Sequence, residues 1–168
     1  MRLKFIAGLM ALSMLGCVSI PKPSVQSNVP AGLDRNDVEL AILLATGLAA
    51  DDSNRAKTWP EYISTTLKNA GNRHVSRLDE SSDHDRWAFD SADGKRITAS
   101  YVDGTEILRA AIDFTSSSYS IQITGSQELD ETATKIDREA GLWIDELKLR
   151  IDRALGRVQL MKRTYTQS

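Results

Sequence analysis

Cysteine and histidine are scarce in this sequence, and the common catalytic motifs are not found in it. Its 168 residues include one cysteine and two histidines. A single cysteine excludes an intramolecular disulfide, so packing alone must stabilise the folded chain. The ten glycines form no phosphate-binding loop, and no serine stands in a Gly-x-Ser-x-Gly sequence. The nucleotide-binding and serine-hydrolase classes that such motifs define are therefore not indicated, and no cofactor is expected.

Two further features are missing, a membrane-spanning run near the start and an excess of basic residues. The apolar segment Phe5–Leu15 has eleven residues, whereas a helix that crosses a bilayer needs about 20. Arg2 and Lys4 are two of the 21 basic residues, so the chain from Cys17 onward keeps 19 basic and 23 acidic residues, a net charge of −4. That balance provides no basic face for nucleic acid, and we predict no such partner.

The one cysteine follows the short apolar segment directly. Positive charge, an apolar core and a small residue before a cleavage point are typical of a secretory signal. Met14-Leu15-Gly16-Cys17 resembles the lipobox of bacterial lipoproteins, with Met for the usual Leu and a large Leu at a position that is usually small. The resemblance implies that residues 1–16 are a signal peptide. It also implies that Cys17 carries a diacylglyceryl thioether and an N-acyl chain.

A lipidated Cys17 would fix the location of the protein. Each buried methylene contributes about 0.8 kcal/mol, so two or three acyl chains hold a protein at a membrane almost permanently. Val18, where some lipoproteins have Asp, resembles lipoproteins that are delivered to the outer membrane. We therefore expect a membrane contact through Cys17 and a location on the periplasmic face of the outer membrane.

Residues 17–33 are predicted to be a linker. They contain three of the four prolines, which fix φ and lack a backbone N–H. An extended, unpaired segment of this kind could hold a domain about 50 Å from the membrane. The remaining residues suffice for one domain, predicted over 34–160 and followed by a tail, residues 161–168.

Three segments have helical periodicity. Asp34–Ala50 opens with Asp and Asn as candidate caps and continues with a strongly apolar stripe. Thr58-Trp59-Pro60-Glu61 has the pattern of a capping box, and it predicts a short second helix over 59–70. A long final helix is predicted from about Ile136 to Val158, with Trp143 in the core.

Between these helices the apolar residues alternate with a period of two, from Trp87 to Thr124. Turn sequences at Ala92-Asp93-Gly94, Asp103-Gly104 and Thr115–Ser118 divide this region into four strands. One face is apolar and the other polar, which is typical of an antiparallel meander. The predicted fold is α+β: an antiparallel four-stranded β-meander, N-terminal and C-terminal helices packed on one face, and an inserted short helix.

Residues 97–155 are similar to a family of small, uncharacterised proteobacterial lipoproteins. In that family a strand ending Tyr-x-Ile is followed by Ser-x-Asn-Leu and a helix opening Ile-His-x-x-Tyr-Asn-x-Trp-Ile. The matching residues are Tyr119, Ile121, Ser126, Leu129, Ile136, Trp143 and Ile144, and Val38–Ile42 resembles the family's first helix. Residues 51–86 look like an insertion. The family's Asn, His, Tyr and Asn are replaced by Glu128, Asp137, Ala140 and Gly141, so no site is carried over, and the family implies no known reaction.

Two histidines offer the clearest candidate chemistry. His74 and His84 lie in a polar stretch near Asp79, Asp83 and Asp85, and imidazole with carboxylates can bind zinc. Their ten-residue spacing follows neither a helix nor a hairpin, so a solvated acidic loop is the favoured interpretation and no metal is predicted. The alternative is a metal-assisted hydrolase that uses these residues.

The sequence therefore favours a non-enzymatic binding or structural module of the cell envelope. An envelope protein, polymer or lipid component is the expected partner, and a purely structural spacer is a third possibility. Loops and insertions on a rigid scaffold commonly carry specificity. We therefore predict that the partner contacts Trp59, Tyr62, His74 and His84.

Overall fold

The computed structural model describes residues 23–47, 56–72, 87–103, 106–127 and 134–167. Cys17, His74, His84 and the predicted signal peptide lie outside the described residues. Within them the chain forms an α+β fold, as predicted, with a five-stranded antiparallel sheet and three helices. No described helix is both long enough and apolar enough to cross a membrane.

Helices and strands alternate little along the chain, because most strands follow one another directly. In chain order they are β1 Ser24–Asn28, α1 Arg35–Ala45, α2 Trp59–Asn72, β2 Trp87–Ala92, β3 Arg96–Asp103, β4 Glu106–Phe114, β5 Ser118–Gln127 and α3 Thr134–Gln167. The strand order in the sheet is β1-β5-β4-β3-β2, and each neighbouring pair is antiparallel. Strands β2 to β5 are the predicted meander.

The fifth strand, β1, comes from the predicted linker. Ser24–Asn28 pairs with Gln122–Ser118 of β5, and the Pro23 carbonyl accepts a hydrogen bond from the Ile123 amide. The prediction of an unpaired segment is therefore wrong for these residues, and four strands become five. Pro23 and Pro30 flank the strand, so their missing N–H groups interrupt no ladder. Only Val18–Pro23 separates Cys17 from the sheet.

Helix α1 begins at an Asp34 cap and is shorter than predicted. The Asp34 carboxylate accepts from the Asn36 and Asp37 amides, and the Asp37 carboxylate accepts from the Asp34 amide, which completes a capping box. The helix ends at Ala45 because Thr46 leaves helical geometry and Gly47 takes a positive φ of 87°. The prediction of a continuous helix is thus wrong at Thr46 and Gly47, and residues 48–50 lie outside the described residues.

Helix α2 confirms the predicted short second helix and extends it to Asn72. Helix α3 is longer than predicted, since it continues to Gln167, so residues 161–167 are the last turns of a helix and not a tail. The structured domain therefore begins before residue 34 and ends after residue 160.

The core lies between one face of the sheet and the helices α1 and α3, as predicted. Alternate residues of all five strands point into it, and α1 and α3 pack against each other as well as against the sheet. Trp143 is buried with its ring centroid 5.2 Å from that of Tyr101, which confirms its predicted place in the core. Helix α2 packs on α1 and α3.

Candidate functional site

The second face of the sheet is polar, and no described helix packs on it. We call it the open face. It is formed by the strand residues that alternate with the core residues: Ser24, Gln26, Asn28, Ala88, Ser91, Arg96, Thr98, Ser100, Arg109, Ala111, Asp113, Ser118, Ser120, Gln122 and Thr124. The sequence predicted this polarity for β4 and β5, and β1 extends it by one strand.

Polar contacts between neighbouring strands order the open face. The guanidinium of Arg96 donates two hydrogen bonds of 2.7 Å to the carboxylate of Asp113. These hydrogen bonds lower the pKa of Asp113, whose charge is thereby matched by a cation. Ser100 donates to Asp90 at 2.6 Å, beside a bulge in β2 between Phe89 and Ser91. The face is therefore held in one arrangement by its own side chains.

A depression of about 650 Å³ lies at the end of the open face, beside the turn between β4 and β5. We call it the hairpin pocket. Its lining residues are Gln26, Arg35, Lys95, Asp113, Phe114, Thr115, Ser116, Ser118, Tyr119 and Ser120. They come from β1, α1, the β2–β3 turn and the β4–β5 hairpin. The pocket therefore depends on the tertiary fold and not on one local motif.

Hydroxyl groups at the hairpin turn are fixed by backbone hydrogen bonds. The Thr115 hydroxyl oxygen accepts from the Ser117 and Ser118 amides at 3.2 and 3.0 Å. The Thr115 amide donates to the Ser118 carbonyl at 2.8 Å, which closes the turn. Ser and Thr favour such turns because their hydroxyls replace backbone partners. The predicted turn at Thr115–Ser118 is confirmed.

Two cations border the hairpin pocket. The guanidinium carbon of Arg35 lies 5.6 Å from the centroid of the Phe114 ring, within cation–π range. Lys95 lies in a turn whose Lys95 and Arg96 amides donate to the Asp93 carboxylate, and these hydrogen bonds lower the pKa of Asp93. Since Asp113 is already paired with Arg96, the pocket favours an anionic ligand that can also hydrogen-bond to hydroxyls.

The predicted contact residues Trp59 and Tyr62 are not on the surface. Their exposed fractions are 7% and 5%, and their rings stack with a centroid distance of 5.5 Å. Trp59 Nε1 donates to a carboxylate oxygen of Asp37 at 2.7 Å, and Asp37 is fully buried. The prediction that Trp59 and Tyr62 contact a partner is therefore wrong, because α2 turns both rings towards α1 and α3.

A second helix contact completes this largely buried group, which we call the Asp37 cluster: Asp37, Trp59, Tyr62, Lys162 and Tyr165. Lys162 Nζ donates to the other Asp37 carboxylate oxygen at 2.6 Å, which raises the pKa of Lys162. The Tyr165 ring lies 5.7 and 5.8 Å from the rings of Trp59 and Tyr62. The cluster joins all three helices through these contacts.

The histidine site stays a prediction. His74 and His84 both lie outside the described residues. In the part of the chain that the structure describes, no three His, Cys, Asp or Glu side chains converge in a way that could hold a metal ion.

Comparison with known proteins adds no assignment: no protein-family model, curated protein or solved structure matches this chain. The resemblance to proteobacterial lipoproteins stays a prediction. Sequence reasoning also missed the hairpin pocket, because Gln26 and Arg35 reach it only through the pairing of β1 and the placement of α1. The pattern Thr115–Ser118 indicated the turn at its edge.

Proposed function

We propose that this protein is a lipid-anchored, non-enzymatic binding module on the periplasmic face of the outer membrane. Its ligand is an anionic polymer of the cell envelope, bound along the open face with an acidic group in the hairpin pocket. The observation that carries the proposal is one ordered, polar sheet face without a described helix over it, ending in a pocket with two cations.

The chemistry of the open face favours a polymer over a folded protein. Protein interfaces are usually centred on buried aromatic or aliphatic anchors. Among the described residues, the exposed large hydrophobic side chains are all on α3, and none is on the open face. Hydroxyl, amide and paired charged groups are suited instead to a hydrated chain of sugars or short peptides.

The dimensions of the sheet also suit an extended ligand. Adjacent strands are spaced about 4.8 Å apart, so five strands offer a width of roughly 20 Å. A polymer can cross this width and present a carboxylate or phosphate to Arg35 and Lys95 at the pocket. A lipid anchor at Cys17 would keep the module beside such a polymer.

The anchor is tested by Cys17→Ser in the full chain, expressed in a Gram-negative host. We expect the parent to fractionate with outer membranes and to incorporate radiolabelled palmitate, and the variant to lose the label and accumulate uncleaved. Ser19→Ala, two residues away, serves as the matched control. Equal labelling and fractionation of parent and Cys17→Ser would refute the anchor.

The binding surface is tested by the double variant Arg35→Glu/Lys95→Glu, with purified peptidoglycan sacculi as a carboxylate-bearing polymer probe. Co-sedimentation should show an affinity at least about tenfold weaker than that of the parent, because two charge-assisted contacts of about 1 kcal/mol each become repulsive. Lys57→Glu/Lys68→Glu makes the same charge change at exposed positions beside and on α2. Equal losses in both variants would point to net charge alone and reject the pocket.

A further inference from the structure

The outer surface of α3 is unlike the rest of the described surface, because it combines exposed leucines with arginines. Helix α3 has 34 residues and is about 50 Å long. Residues that recur every three or four positions on its inner side are buried: Trp143, Leu147, Ile151, Ala154, Leu155 and Val158. The opposite side is exposed at Leu142, Leu149, Arg153, Arg157, Leu160 and Arg163. We call this exposed set the α3 face.

The leucines of the α3 face are exposed to an extent that packing within the domain does not explain. Leu142, Leu149 and Leu160 have exposed fractions of 70%, 48% and 63%. At 100° per residue they fall within one narrow stripe along the helix. An apolar stripe on the solvent side of a helix that is already buried on its other side indicates a second contact surface.

The charge of this helix segment opposes that of the whole chain. Residues 148–163 contain six basic residues, Lys148, Arg150, Arg153, Arg157, Lys162 and Arg163, and one acidic residue, Asp152. The carboxylate of Asp152 is occupied, since it accepts from Lys148 and from the Tyr119 hydroxyl. Lys148, Arg150 and Lys162 are paired with Asp152, Glu146 and Asp37. The basic charge that the α3 face offers to a ligand therefore comes from Arg153, Arg157 and Arg163.

A groove beside the α3 face carries the same combination of groups. It has a volume of about 460 Å³ and runs between α1 and α3, where Leu44 and Leu149 lie with Arg153, Arg157 and the ion pair of Arg150 with Glu146. Guanidinium groups bind phosphate oxygens through paired hydrogen bonds. The leucines beside them offer an apolar floor for the first methylenes of an acyl chain.

We propose that the α3 face docks on an anionic phospholipid surface. The arginines bind headgroup phosphates, and Leu142, Leu149 and Leu160 enter the boundary between headgroups and acyl chains. Interfacial amphipathic helices combine these same features, an apolar stripe and flanking Lys or Arg residues. This inference goes beyond the proposed function and does not depend on lipidation, because the residues that carry it belong to α3 and, in the groove, to α1.

The short connection to Cys17 is consistent with this docking. At full extension the chain from Cys17 to Ser24 spans at most about 25 Å. An acylated Cys17 would therefore hold the domain against the headgroups, where α3 could reach them. A membrane surface also suits the α3 face better than a groove on a protein does, because this face is convex and extends over several turns.

The test uses the full chain with Cys17→Ser and vesicles of 70% phosphatidylcholine and 30% phosphatidylglycerol. Arg153→Glu/Arg157→Glu should weaken vesicle binding by roughly 25-fold or more, since each basic residue near an anionic surface contributes a factor of about five. Lys57→Glu/Lys68→Glu, with the same charge change, should bind like the parent. The apolar segment Phe5–Leu15 contributes equally to the vesicle binding of every variant. Binding to vesicles of pure phosphatidylcholine gives the size of that contribution.

Two further measurements distinguish docking from a loss of folding and from self-association. Leu149→Ser/Leu160→Ser should also weaken vesicle binding, by about fivefold. This loss of affinity should be the same at low and high salt, because the leucines act through apolar burial and not through charge. Circular dichroism checks that every variant is folded. Equal vesicle binding by parent and arginine variant would overturn the inference. A dimer that dissociates in the variants, with no difference on vesicles, would assign the α3 face to a second copy of the chain and would also overturn it.

Discussion

Asp37→Ala should lower the free energy of unfolding by about 3 kcal/mol or more. Asp37 is fully buried and accepts hydrogen bonds from Trp59 Nε1, Lys162 Nζ and the Asp34 amide. Removal of the carboxylate leaves a buried indole N–H and a partly buried ammonium group without their partner, a change that typically costs about 3–5 kcal/mol. Thermal unfolding followed by circular dichroism should show a midpoint lower by roughly 10 °C.

Asp37→Asn is the matched variant for this experiment. The amide keeps the shape of the side chain and one acceptor oxygen. Asp37→Asn should therefore lower the free energy of unfolding less than Asp37→Ala does. Asn36→Ala, at the adjacent exposed position, should change the midpoint little. If the midpoint of Asp37→Ala lies within about 2 °C of the parent's, the size of an ordinary surface effect, then the Asp37 cluster contributes nothing to stability.

Deletion of residues 161–168 should destabilise the domain about as much as Asp37→Ala does. The deletion removes Lys162, the cation beside Asp37, and Tyr165, whose ring packs on Trp59 and Tyr62. A buried carboxylate without its cation and an opened aromatic contact together cost about 3 kcal/mol or more. Chemical denaturation should show a lower midpoint, and loss of Trp59 burial should shift the fluorescence spectrum to the red.

Removal of residues 167–168 alone is the control, and it should leave the midpoint unchanged because Gln167 is exposed. The deletion and Asp37→Ala both break the contact between Asp37 and Lys162, so their combined loss should be clearly less than the sum of the two separate losses. Full additivity, or a deletion with a wild-type midpoint, would show that the last turns of α3 do not act through Asp37.

The period of the apolar residues predicted the meander, α2 and most of α3, because burial on one face leaves a regular trace in the sequence. It failed at β1 for a physical reason. Ser24-Val25-Gln26-Ser27-Asn28 has one apolar residue, and its place in the sheet depends on backbone pairing with β5. Two flanking prolines indicated a linker, although proline is equally compatible with the ends of an edge strand.

The candidate functional surfaces also could not be predicted from local sequence alone. Trp59 and Tyr62 are large aromatic residues in a segment that resembles an insertion, and nothing local indicates that Asp37 and Lys162 enclose them. The exposed leucines of α3 stand beside arginines, and only the fold shows that this side of the helix is not covered by the sheet or by α1. Relations between residues far apart in the chain require the fold itself.

The pairing of β1 with β5 has a consequence for the order of events during synthesis. Residues 24–28 are among the first of the domain to emerge, yet their hydrogen-bonding partners at 118–122 follow about 90 positions later. The outer border of the sheet therefore cannot close until most of the polypeptide has been synthesised. Until then the backbone of β5 or of β1 stays open to other chains, so protection by a chaperone would matter most in that interval.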